Sequence, residues 1–532
     1  MSQKYRLDNI GYINRDKKIS FTFNGKKYFG YEGDTLASAL LANGIHLVGR
    51  SFKYHRPRGF FGAGVDEPNA KVQLYKGAKT EPNANATEVE LVEGLIAKSQ
   101  NCWPSVSFDF GATNNLFQKF FPAGFYYKTF MWPKSFWYKV YEPIIRKAAG
   151  LGVAPLKPDP DRYEHKYEYC DVLIAGSGPS GLASALAAAK NGARVILAED
   201  KSRFGGSLLV DEVTIGNKKG KEWADEAISQ LKSMPNVIVK NRSQVFGYYD
   251  HNMMVMFEKT RDHIENPNKF TPRQKLWYIR AKEIVISTGS LERPLIFGNN
   301  DRPGILLSSA AKEYLKVYGV LVGRKPIIFT NNDSAYDTAI EFKKNGINPL
   351  VVDTRTNSDS SVISEAKNLN IDIKFSHGIA NTKGHLKVNS ATIGKFNSDK
   401  SSYENLEEVS CDCICVSGNW TPTVHLSSQS GNKLKFNETI DAFIPSQSRQ
   451  KESTIGSANG SFTLKQALED GFNKGFELSN KITNKNSKST APTSNERSYG
   501  EHDKFWCMPL PKNKHYKRFV DFQNDVAVSD IE

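Results

Sequence analysis

The feature that most constrains this chain is a glycine-rich turn between a short apolar strand pattern and an alanine-rich helix pattern. The segment DVLIAGSGPSGLASALAAAKNGARVILAED, residues 171–200, places Gly176, Gly178 and Gly181 in the spacing G-x-G-x-x-G. The first glycine permits a sharp turn, the second removes a Cβ from the path of a pyrophosphate, and the third lets the helix pack on the sheet. Free N–H groups and the helix dipole then attract phosphate. The segment therefore predicts a dinucleotide-binding Rossmann unit.

An acidic residue follows the second strand of this unit, where ribose recognition requires it. Residues 193–198 form the strand pattern and Glu199 comes directly after it. A carboxylate there accepts hydrogen bonds from ribose hydroxyls and disfavours a 2′-phosphate, so NAD or FAD is favoured over NADP. Asp200 is an alternative to Glu199, because the downstream Gly205-Gly206 allows a shift of register.

The predicted dinucleotide contacts lie in the glycine turn, after the second strand and at later turns of the same fold. They are Gly176, Ser177, Gly178, Pro179, Ser180, Gly181, Glu199, Asp200, Lys201, Gly206, Ser207, Val245, Thr288, Gly289 and Ser290. The last three stand where a buried strand pattern ends within residues 281–294. Flavoproteins with two dinucleotide domains complete the first nucleotide fold at such a strand. A glycine-rich turn without a ligand is the alternative interpretation. No catalytic residue and no metal ligand is assigned to this chain.

A second Rossmann-like pattern lacks the glycines. Residues 325–355 repeat the order strand, turn, helix and strand. If Asn331, Asp333 and Tyr336 occupy the glycine positions, Asp333 puts a side chain and a negative charge where a pyrophosphate would lie. The pattern predicts two nucleotide folds but only one bound dinucleotide.

The beginning of the chain has the order of a ferredoxin-like β-grasp module. Residues 19–31 form a hairpin pattern that turns at Asn24-Gly25, and Asp34 is the predicted N-cap of a helix over residues 35–43. The two strands and the helix predict the β-grasp frame.

The loop that follows this helix has no cysteine. In a plant-type ferredoxin it would carry C-x4-C-x2-C, because a two-iron cluster needs thiolate ligands. Here residues 49–64 read GRSFKYHRPRGFFGAG, which predicts a module without an iron–sulfur cluster. Its basic residues suit an anionic group or a partner, and a solvated basic loop is the alternative; they are Arg50, Lys53, His55, Arg56 and Arg58.

Charge and hydropathy exclude several classes of protein. The chain has 532 residues and a formal net charge of +14, yet its lysines are dispersed among asparagines without a long basic block, which argues against nucleic-acid binding. A basic face for a phosphate-bearing cofactor or an acidic partner subunit is the remaining interpretation. No run of 18 apolar residues and no signal-peptide core is present, so the sequence predicts a soluble cytoplasmic protein without membrane contact.

Cysteine usage argues against disulfides and metal. Six cysteines are too few for a disulfide framework in so long a chain. Cys411, Cys413 and Cys415 alternate at period two, which predicts one buried face of a strand rather than a metal site.

Residues 117–152 carry aromatic side chains at nearly every third position, interrupted by lysines and prolines. Recurring charge excludes a membrane span, so the pattern predicts a strap packed on the chain's own domains or on another subunit. The Pro-rich residues 154–164 predict an interdomain linker, and the polar residues 476–500 a flexible linker.

These patterns predict an α/β (α+β multi-domain) protein. The predicted division is a ferredoxin-like β-grasp domain without a cluster (residues 1–105), an aromatic-rich strap and linker (106–165), an NAD-binding domain (166–307 and 411–478), a degenerate Rossmann-like domain (308–410), and a flexible linker with the start of a truncated C-terminal domain (479–532).

Several segments, taken with the glycine turn, resemble the α subunits of heterotetrameric sarcosine oxidases. They are GDTLASALLANGIHLVGRSFKYHRPRG, PAGFYYKTFMWP, FTNNDSAY, NNDRPG and SGNWTPTVHL, and the resemblance runs over essentially all 532 residues. It implies a cysteine-less ferredoxin domain joined to a glutathione-reductase-like fold of two dinucleotide domains that holds NAD without turnover. Ser457 stands where flavin disulfide reductases commonly have an aspartate on the flavin ribityl chain, which supports NAD over FAD.

The resemblance also implies an enzyme and its partners. Such complexes demethylate sarcosine to glycine and yield hydrogen peroxide with formaldehyde or 5,10-methylenetetrahydrofolate. The β subunit carries FAD, covalent FMN lies at the contact between α and β, and γ and zinc-bearing δ-type subunits complete the assembly. The alternatives are a self-sufficient NADH-dependent flavoprotein reductase and an α-type subunit of a related proline or opine dehydrogenase.

One departure from the family concerns folate. Family α subunits continue past a segment like FVDFQNDVAVSDIE into a domain similar to aminomethyltransferases, whereas this sequence stops there, at Glu532. We therefore expect tetrahydrofolate, where it is used, on a separate domain or chain, or a truncated form of the subunit.

Overall fold

The computed structural model describes residues 3–116, 130–148, 150–487, 490–495 and 499–532. The chain forms two compact units, each built from separate stretches of sequence. The first unit comprises Met1–Pro160, Arg293–Asn419 and Ser498–Glu532, and the second comprises Asp161–Glu292 and Trp420–Arg497.

The first unit begins with a five-stranded sheet. Its strands lie in the order Lys26–Glu32, Asn14–Phe23, Leu95–Ser99, Lys71–Leu74 and Glu81–Asn85. Asn24 and Gly25 join the first two strands with φ angles of 49° and 80°, which is the left-handed geometry of a tight hairpin turn. The hairpin predicted from the sequence is therefore confirmed. The helix Leu36–Ala42 follows, with all its residues buried.

The N-cap of this helix differs from the prediction. Thr35, not Asp34, caps it, because the Thr35 hydroxyl accepts the Ser38 N–H in a capping box. The Asp34 carboxylate is fully buried and binds both terminal nitrogens of Arg6, at 3.0 and 2.7 Å. The Asp34 side chain therefore forms an ion pair with a residue distant in sequence, Arg6, instead of capping the helix.

A second sheet of the first unit is parallel and five-stranded. Its strands lie in the order Ile305–Leu307, Cys413–Ser417, Pro326–Thr330, Leu350–Asp353 and Asp372–Phe375. The helices Ser308–Tyr318, Ser334–Lys344 and Ser361–Asn368 belong to it, and an antiparallel sheet of His377–Lys383, Ser390–Phe396 and Tyr403–Ser410 accompanies it.

The strand Cys413–Ser417 corrects the predicted domain division. It runs parallel to both Ile305–Leu307 and Pro326–Thr330, so all three strands belong to the second nucleotide fold. The sequence pattern instead places residues up to 307, and those from 411 onward, in the first fold. Cys411, Cys413 and Cys415 are all buried, as their alternation predicts.

The second unit contains the predicted first nucleotide fold, a seven-stranded sheet. Its strands lie in the order Val237–Lys240, Val195–Ala198, Tyr163–Ala175, Gln274–Ile286, Met253–Lys259 and Ser243–Tyr249, and Glu452–Thr454 also pairs with Gln274–Ile286. The strands Met253–Lys259 and Ser243–Tyr249 pair antiparallel to their neighbours. The other strands of this sheet pair in parallel. The helices Pro179–Lys190, Gly220–Ser233 and Leu464–Thr483 complete it.

Shorter elements connect these sheets. They are the strand pairs Gly49–Arg50 with Pro57–Arg58, Thr214–Ile215 with Lys218–Lys219, Ser290–Glu292 with Trp420–Pro422, Lys433–Asn437 with Ala442–Gln447, and Phe519–Asp521 with Val526–Ala527, and the helices Glu142–Ala148 and His425–Gln429.

Two predicted connecting segments can be compared with the structure. Of the strap, residues 117–129 and 149 lie outside the described residues, and in the described part Trp132 and Tyr138 are 84% and 83% exposed. The predicted linker and truncated domain from residue 479 onward differ from the structure. The helix Leu464–Thr483 continues into that range, and residues 499–532 belong to the first unit, where Met508 and Phe519 are buried.

Candidate dinucleotide site

Two glycines of the predicted turn are required by backbone packing. Gly176 follows the strand Tyr163–Ala175 with a φ of 102°, and a Cβ there would lie 2.3 Å from the Ser287 carbonyl oxygen. A Cβ on Gly181 would lie 2.0 Å from the Gly176 carbonyl oxygen. Neither position accepts a larger side chain without moving the backbone, because real Cβ atoms do not approach so closely.

The middle glycine has a different surrounding. A Cβ on Gly178 would meet no atom of the described residues within 4 Å, and the backbone there is extended and would accept a side chain. Gly178 also begins the helix Pro179–Lys190, which no side chain of the described residues caps. Open space therefore lies in front of an uncapped helix start, which is the geometry of an anion cradle.

Glu199 lies beside this turn and is buried. Its Oε2 accepts the backbone N–H and the hydroxyl of Ser177, at 2.9 and 2.5 Å, and its Oε1 accepts the Lys201 N–H at 3.1 Å. These three hydrogen bonds fix the Glu199 carboxyl beside the turn. Burial, and then the neighbouring charge of Asp200, raise the pKa of Glu199.

A second loop approaches the glycine turn. The Gly205 N–H donates to the Ser177 carbonyl at 3.1 Å, and a Cβ on Gly206 would lie 3.0 Å from the Gly178 Cα. Gly206 and Ser207 are exposed beside the turn. The structure thus brings this predicted loop against the turn.

The predicted contacts at the end of the sheet also adjoin the turn. The Ser287 hydroxyl donates to the Gly176 carbonyl at 2.8 Å, which places Thr288 next to the turn. Thr423 holds this corner, because its N–H donates to the Gly289 carbonyl at 3.1 Å and its hydroxyl lies 2.9 Å from that of Thr288.

The remaining predicted residues occupy the surrounding positions. Asp200, Lys201 and Thr288 are exposed, Pro179 and Ser290 are partly buried, and Val245 is partly buried on the strand Ser243–Tyr249. That strand begins beside Glu199, whose carbonyl accepts the Ser243 N–H at 2.7 Å.

Sequence reasoning missed four features of this site. They are Ser287, Thr423 and the packing roles of Gly456 and Ser180. A Cβ on Gly456 would lie 2.4 Å from the Ser180 Oγ, so a late turn of the chain packs on the first turn of the helix. Gly456 has a positive φ of 63°, and a glycine is itself a turn signal, but the sequence does not show which element that turn contacts.

In the second nucleotide fold, other residues of the chain occupy the turn that corresponds to the glycine turn. Asp333 precedes the helix Ser334–Lys344, and its carboxylate binds Arg355 at 2.7 Å and accepts the Gly500 N–H at 2.6 Å. Asn331 and Asp503 exchange two backbone-directed hydrogen bonds of 2.8 Å.

Tyr336, at the third glycine position, is fully buried and donates to Asp353 at 2.7 Å. Residues 500–503 therefore lie where a second pyrophosphate would approach.

Two of the five basic residues of the predicted loop are internal. Arg58 is 1% exposed and pairs with Asp301 and Asp525, and Lys53 lies 3.6 Å from the Asp530 carboxylate. These two cations therefore do not form the predicted binding surface, nor the solvated loop that was its alternative.

The described parts of the chain contain neither a metal-binding cluster nor a membrane-spanning helix. Across residues 3–116, 130–148, 150–487, 490–495 and 499–532, no group of three or more His, Cys, Asp or Glu side chains is arranged to hold a metal ion. Within the same ranges, no helix has the length and apolar character to cross a bilayer.

Two family profiles match the chain. The profile described as a 2Fe-2S iron-sulfur cluster binding domain matches residues 16–102, and the profile described as an FAD dependent oxidoreductase matches residues 171–236. The first range contains one cysteine, Cys102, whereas a two-iron cluster of the ferredoxin type needs four.

Two relatives match nearly the whole chain. It is 41% identical over 99% of its length to the alpha subunit of the sarcosine oxidase from Rhizobium meliloti (strain 1021), and 30% identical over 98% to that from Corynebacterium sp. (strain U-96). The matches cover 52% and 50% of those proteins, so the chain spans about half the length of these curated relatives.

A solved structure shares the fold. The crystal structure of L-proline dehydrogenase from P. horikoshii aligns with a TM-score of 0.60 and 19% identity, over 91% of this chain and 77% of that one. The predicted fold class, a ferredoxin-like domain with a Rossmann-type oxidoreductase fold, is confirmed by these matches.

Proposed function

The chain is a homologue of sarcosine oxidase α subunits along 99% of its length, and from this premise we propose that it is the NAD-holding subunit of an amine-oxidising flavoenzyme complex. The reaction we propose converts sarcosine to glycine, with hydrogen peroxide and formaldehyde or 5,10-methylenetetrahydrofolate as the other products. The substrate-oxidising flavin lies on a partner subunit in this proposal, so this chain contributes binding and assembly rather than a catalytic residue.

The observation that carries the dinucleotide assignment is the space at Gly178. A pyrophosphate needs a backbone turn without a Cβ, an uncapped helix start and free N–H groups, and the turn at Gly176 to Gly181 supplies them. Glu199 beside the turn favours a ribose with free hydroxyls. These residues fit NAD, whose nicotinamide would supply hydride chemistry where turned over; here we propose that it is only held.

NAD is preferred to FAD at this turn, although one matching profile describes FAD dependent oxidoreductases. The reason is Ser457, which is partly buried near the Thr288-Gly289 corner. A serine there offers no carboxylate to a flavin ribityl chain. The absence of a C-x-x-C motif from the sequence also removes the dithiol that flavin disulfide reductases use.

The partners follow from the same homology. We propose β, γ and δ-type subunits, with FAD bound by the β subunit. We place FMN at the contact between α and β. Tetrahydrofolate, where used, would bind a separate domain or chain.

The decisive experiment identifies the nucleotide that the purified chain retains. We expect mass analysis of the gently released ligand to give one NAD per polypeptide in the wild type and none after Gly178→Val, because the added side chain would fill the cradle. The matched control is Gly49→Val, which also has ordinary φ and whose Cβ would lie 3.5 Å from its nearest neighbour, the Asn69 carbonyl oxygen. Unchanged NAD content in Gly178→Val contradicts the assignment.

A second candidate, a self-sufficient NADH-dependent flavoprotein reductase, is favoured by the FAD dependent oxidoreductase profile over residues 171–236. It requires the isolated chain to bind flavin and accept hydride from NADH. The visible absorption of an oxidised flavin in the purified chain, bleached by NADH, would establish it. A colourless chain that releases NAD supports the subunit proposal.

The amine is a separate question. An opine oxidase subunit of Agrobacterium tumefaciens (strain Ach5) is 24% identical over 186 residues, so opines and proline belong in the substrate panel beside sarcosine. We expect peroxide formation by the copurified complex to be fastest with sarcosine. A faster reaction with proline or an opine would favour the alternative interpretation, an α-type subunit of a related proline or opine dehydrogenase.

A further inference from the structure

One face of the seven-stranded sheet in the second unit is exposed and rich in tyrosine. In the first half of the strand Tyr163–Ala175, exposed side chains alternate with partly buried ones. The exposed ones are Tyr163, His165, Tyr167 and Tyr169. Successive side chains of a strand point to opposite faces, so these four lie on the same face of the sheet.

Strand register extends this face across three neighbouring strands. Tyr167 pairs with Tyr278, which pairs with Val255, which in turn pairs with Gly247. Residues that are paired across strands point to the same side of a sheet. We call the whole set the tyrosine face; it comprises Tyr163, His165, Tyr167, Tyr169, Gln274, Leu276, Tyr278, Arg280, Met253, Val255, Phe257, Lys259, Gln244, Gly247 and Tyr249.

A row of stacked aromatic rings crosses the tyrosine face. The ring of Tyr278 stacks with those of Tyr167 and His165, at centroid distances of 5.1 and 5.8 Å. Tyr167 is 79% exposed, and Tyr249 on the last of the four strands is 50% exposed. The described residues of the chain therefore leave this aromatic surface open to solvent, and such a patch marks an interaction site.

The opposite face of the same strands belongs to a hydrophobic core. Trp277, Ile279, Met254 and Met256 are buried there, and Tyr248 packs with them. The core thus holds the strands from one side, so the tyrosine face presents its side chains on a fixed backbone. A preformed surface loses less conformational entropy when a partner binds.

The tyrosine face carries positive charge and no carboxylate. Arg280 and Lys259 belong to it, whereas none of its residues is Asp or Glu. Glu164 and Glu168 alternate with the tyrosines and therefore belong to the opposite face. Asp250 lies beyond the face, in the turn that follows the strand Ser243–Tyr249.

The rim beside Tyr169 is also cationic. The Arg194 guanidinium lies over the Tyr169 ring, 4.7 Å from its centroid, and pairs with Asp171. Lys282 pairs with the same carboxylate at 3.0 Å. Two cations thus share one anion, and the rim adds positive charge to the face.

The size of the tyrosine face limits what can cover it. Four strands about 4.8 Å apart and six residue steps of about 3.3 Å give it an area of roughly 400 Å². A stable interface buries about 800 Å² of each partner, so this face alone is too small for one. The occupant is therefore held by further contacts elsewhere on the chain, as a subunit of a larger complex is.

A second copy of the chain does not meet these conditions. In a twofold contact the same patch lies on both sides, so Arg280 and Lys259 would face the cations of the other copy with no carboxylate among them. The area would also remain about half of what a stable dimer requires. A different protein of opposite charge, bound at further surfaces of the chain, avoids both problems.

We propose that the tyrosine face is a docking surface for a partner protein that presents apolar side chains flanked by carboxylates. Tyrosine is enriched at protein interfaces, because its ring provides a large contact area with few rotatable bonds and its hydroxyl can form a hydrogen bond. Arg280 and Lys259 would pair with the carboxylates. The partner is a further subunit of the complex, so the inference rests on the proposed function in this respect.

Hydroxyl-radical footprinting tests the docking surface in the intact complex. The isolated chain and the complex copurified with its subunits are oxidised in parallel, and peptide mass analysis gives the oxidation of Tyr163, Tyr167 and Tyr169. We expect at least about fivefold less oxidation in the complex, because the centre of an interface excludes water. Equal oxidation in both samples, or a chain that copurifies with no subunit, overturns the proposal.

A carbodiimide cross-linker tests the charge of the occupant. This reagent joins a lysine amine to a carboxylate in contact with it, and we expect it to link Lys259 to an Asp or Glu of another subunit. A link from Lys259 to a second copy of this chain assigns the face to self-association and overturns the proposal. Protection of the tyrosines that nuclease treatment removes assigns the face to nucleic acid and overturns it as well.

Charge reversal at Arg280 has a matched control in Arg324. Both side chains are exposed, and each donates an N–H to a backbone carbonyl, that of His251 at 2.9 Å and that of Lys4 at 2.7 Å. We expect Arg280→Glu to lower the amount of the other subunits that copurifies at physiological ionic strength at least about tenfold, since it opposes like charges. Arg324→Glu should change this amount by less than about twofold, because a distant exposed charge is screened. An equal loss in both variants overturns the proposal.

Tyr167→Ser covers the case in which Arg280→Glu does not fold. Tyr167 is exposed, so the change removes contact area from the face without disturbing the core. Circular dichroism and thermal unfolding show whether each variant is folded. Unchanged copurification in both Tyr167→Ser and a folded Arg280→Glu overturns the proposal.

Failure of the docking surface is distinguishable from failure of the proposed function. A complex that oxidises sarcosine while the tyrosine face stays accessible contradicts the docking surface alone. A protected face in a complex that oxidises no amine supports the docking surface and contradicts the proposed function alone.

Discussion

Glu67 organises the loop that would carry a cluster in a ferredoxin. Its Oε2 accepts the N–H groups of Phe61 and Gly62, at 2.6 and 2.8 Å, and its Oε1 accepts those of Asn69 and Ala70, at 2.6 and 3.0 Å. One buried carboxylate thus gathers four backbone donors, two from the end of this loop and two from the residues that follow it. A polypeptide without cluster ligands can hold a compact loop in this way, because the donors are satisfied without metal.

Replacing this carboxylate tests its role. Glu67→Gln keeps the shape but turns one acceptor into a donor that faces two backbone N–H groups. We expect the free energy of unfolding to fall by about 2–4 kcal/mol, since buried donors would lose their partners. Chemical denaturation of the wild type and the variant measures this difference in the free energy of unfolding. The control, Glu93→Gln, changes an acceptor of the single Ser20 N–H on the surface, and an equal loss there would contradict the interpretation.

The same carboxyl gives a pH dependence. Burial outweighs the N–H donors of Phe61, Asn69 and Gly62 and raises the pKa of Glu67 to about 7, above its ordinary value of 4.5. A group whose pKa is raised on folding contributes stability below the unfolded pKa and loses it as pH rises through the folded one. We therefore expect the stability difference between wild type and Glu67→Gln to be smaller at pH 8 than at pH 5. A difference that grows over this window would contradict the sign.

At the scale of elements, the contact between two helices depends on glycine. A Cβ on Gly471 would lie 2.2 Å from the Ser180 carbonyl oxygen, and one on Gly475 would lie 2.5 Å from that of Ser184. Both glycines belong to the helix Leu464–Thr483, which contacts the helix that begins at the glycine turn. The last helix of the fold therefore fixes the position of the helix that presents the cradle.

An alanine at this contact separates packing from helix propensity. In an exposed helix Gly→Ala stabilises by up to about 1 kcal/mol. In Gly471→Ala we expect a loss of about 1–3 kcal/mol instead, because the backbone of the partner helix must move. The NAD content should fall with it. Asn473→Ala, at an exposed position of the same helix, should leave the NAD content unchanged and the stability equal or slightly higher, and a stabilised Gly471→Ala would contradict the contact.

Elements specified by nearby residues could be predicted from the sequence. The hairpin at Asn24-Gly25 and the glycine turn at Gly176 each depend on a few consecutive residues whose conformational preferences are strong. The strand Cys413–Ser417 is assigned to the wrong sheet because its partner strands lie about 100 residues earlier in the chain, and a local pattern does not specify its neighbour. Asp34 fails as an N-cap for the same reason, since Arg6 competes for it.

The candidate dinucleotide site also has one part that nearby residues specify and another that depends on residues distant in sequence. Its phosphate-facing part could be predicted because glycine spacing and an acid are visible in sequence. The residues that hold the part together, Ser287, Thr423 and Gly456, come from distant turns and carry no individual signature.

At the scale of the whole molecule, the last residues of the chain are structural parts of the first unit. Asp525 is fully buried, accepts the Lys53 and Tyr54 N–H groups at 2.8 and 3.1 Å, and pairs with Arg58. The C-terminal segment therefore completes the basic loop, and Arg58 would be a buried cation with less compensation without it.

Asp525→Asn measures this contribution. The amide keeps an oxygen for the loop N–H groups but removes the charge opposite Arg58. We expect a loss of about 3 kcal/mol in the free energy of unfolding, because a buried ion pair is broken while Asp301 keeps its share. Asp8→Asn is the control, since Asp8 is 98% exposed and 3.9 Å from Arg15, and such pairs contribute about 0–1 kcal/mol. Equal losses would show that burial is not the cause.

The second nucleotide fold shows how the same segment limits ligand stoichiometry. Residues 500–503 lie on its turn, where Gly500 donates to Asp333, and the Glu501 carbonyl accepts from Arg355 at 3.1 Å. Asp333→Gly alone should therefore not create a second site, because backbone still fills the crevice. We expect mass analysis to give no additional dinucleotide per polypeptide, together with lower stability as Arg355 loses a partner. Asp333→Asn, which can still accept from Gly500, should lose less. A second dinucleotide in Asp333→Gly would mean that the aspartate charge, rather than the returning chain, excludes the ligand.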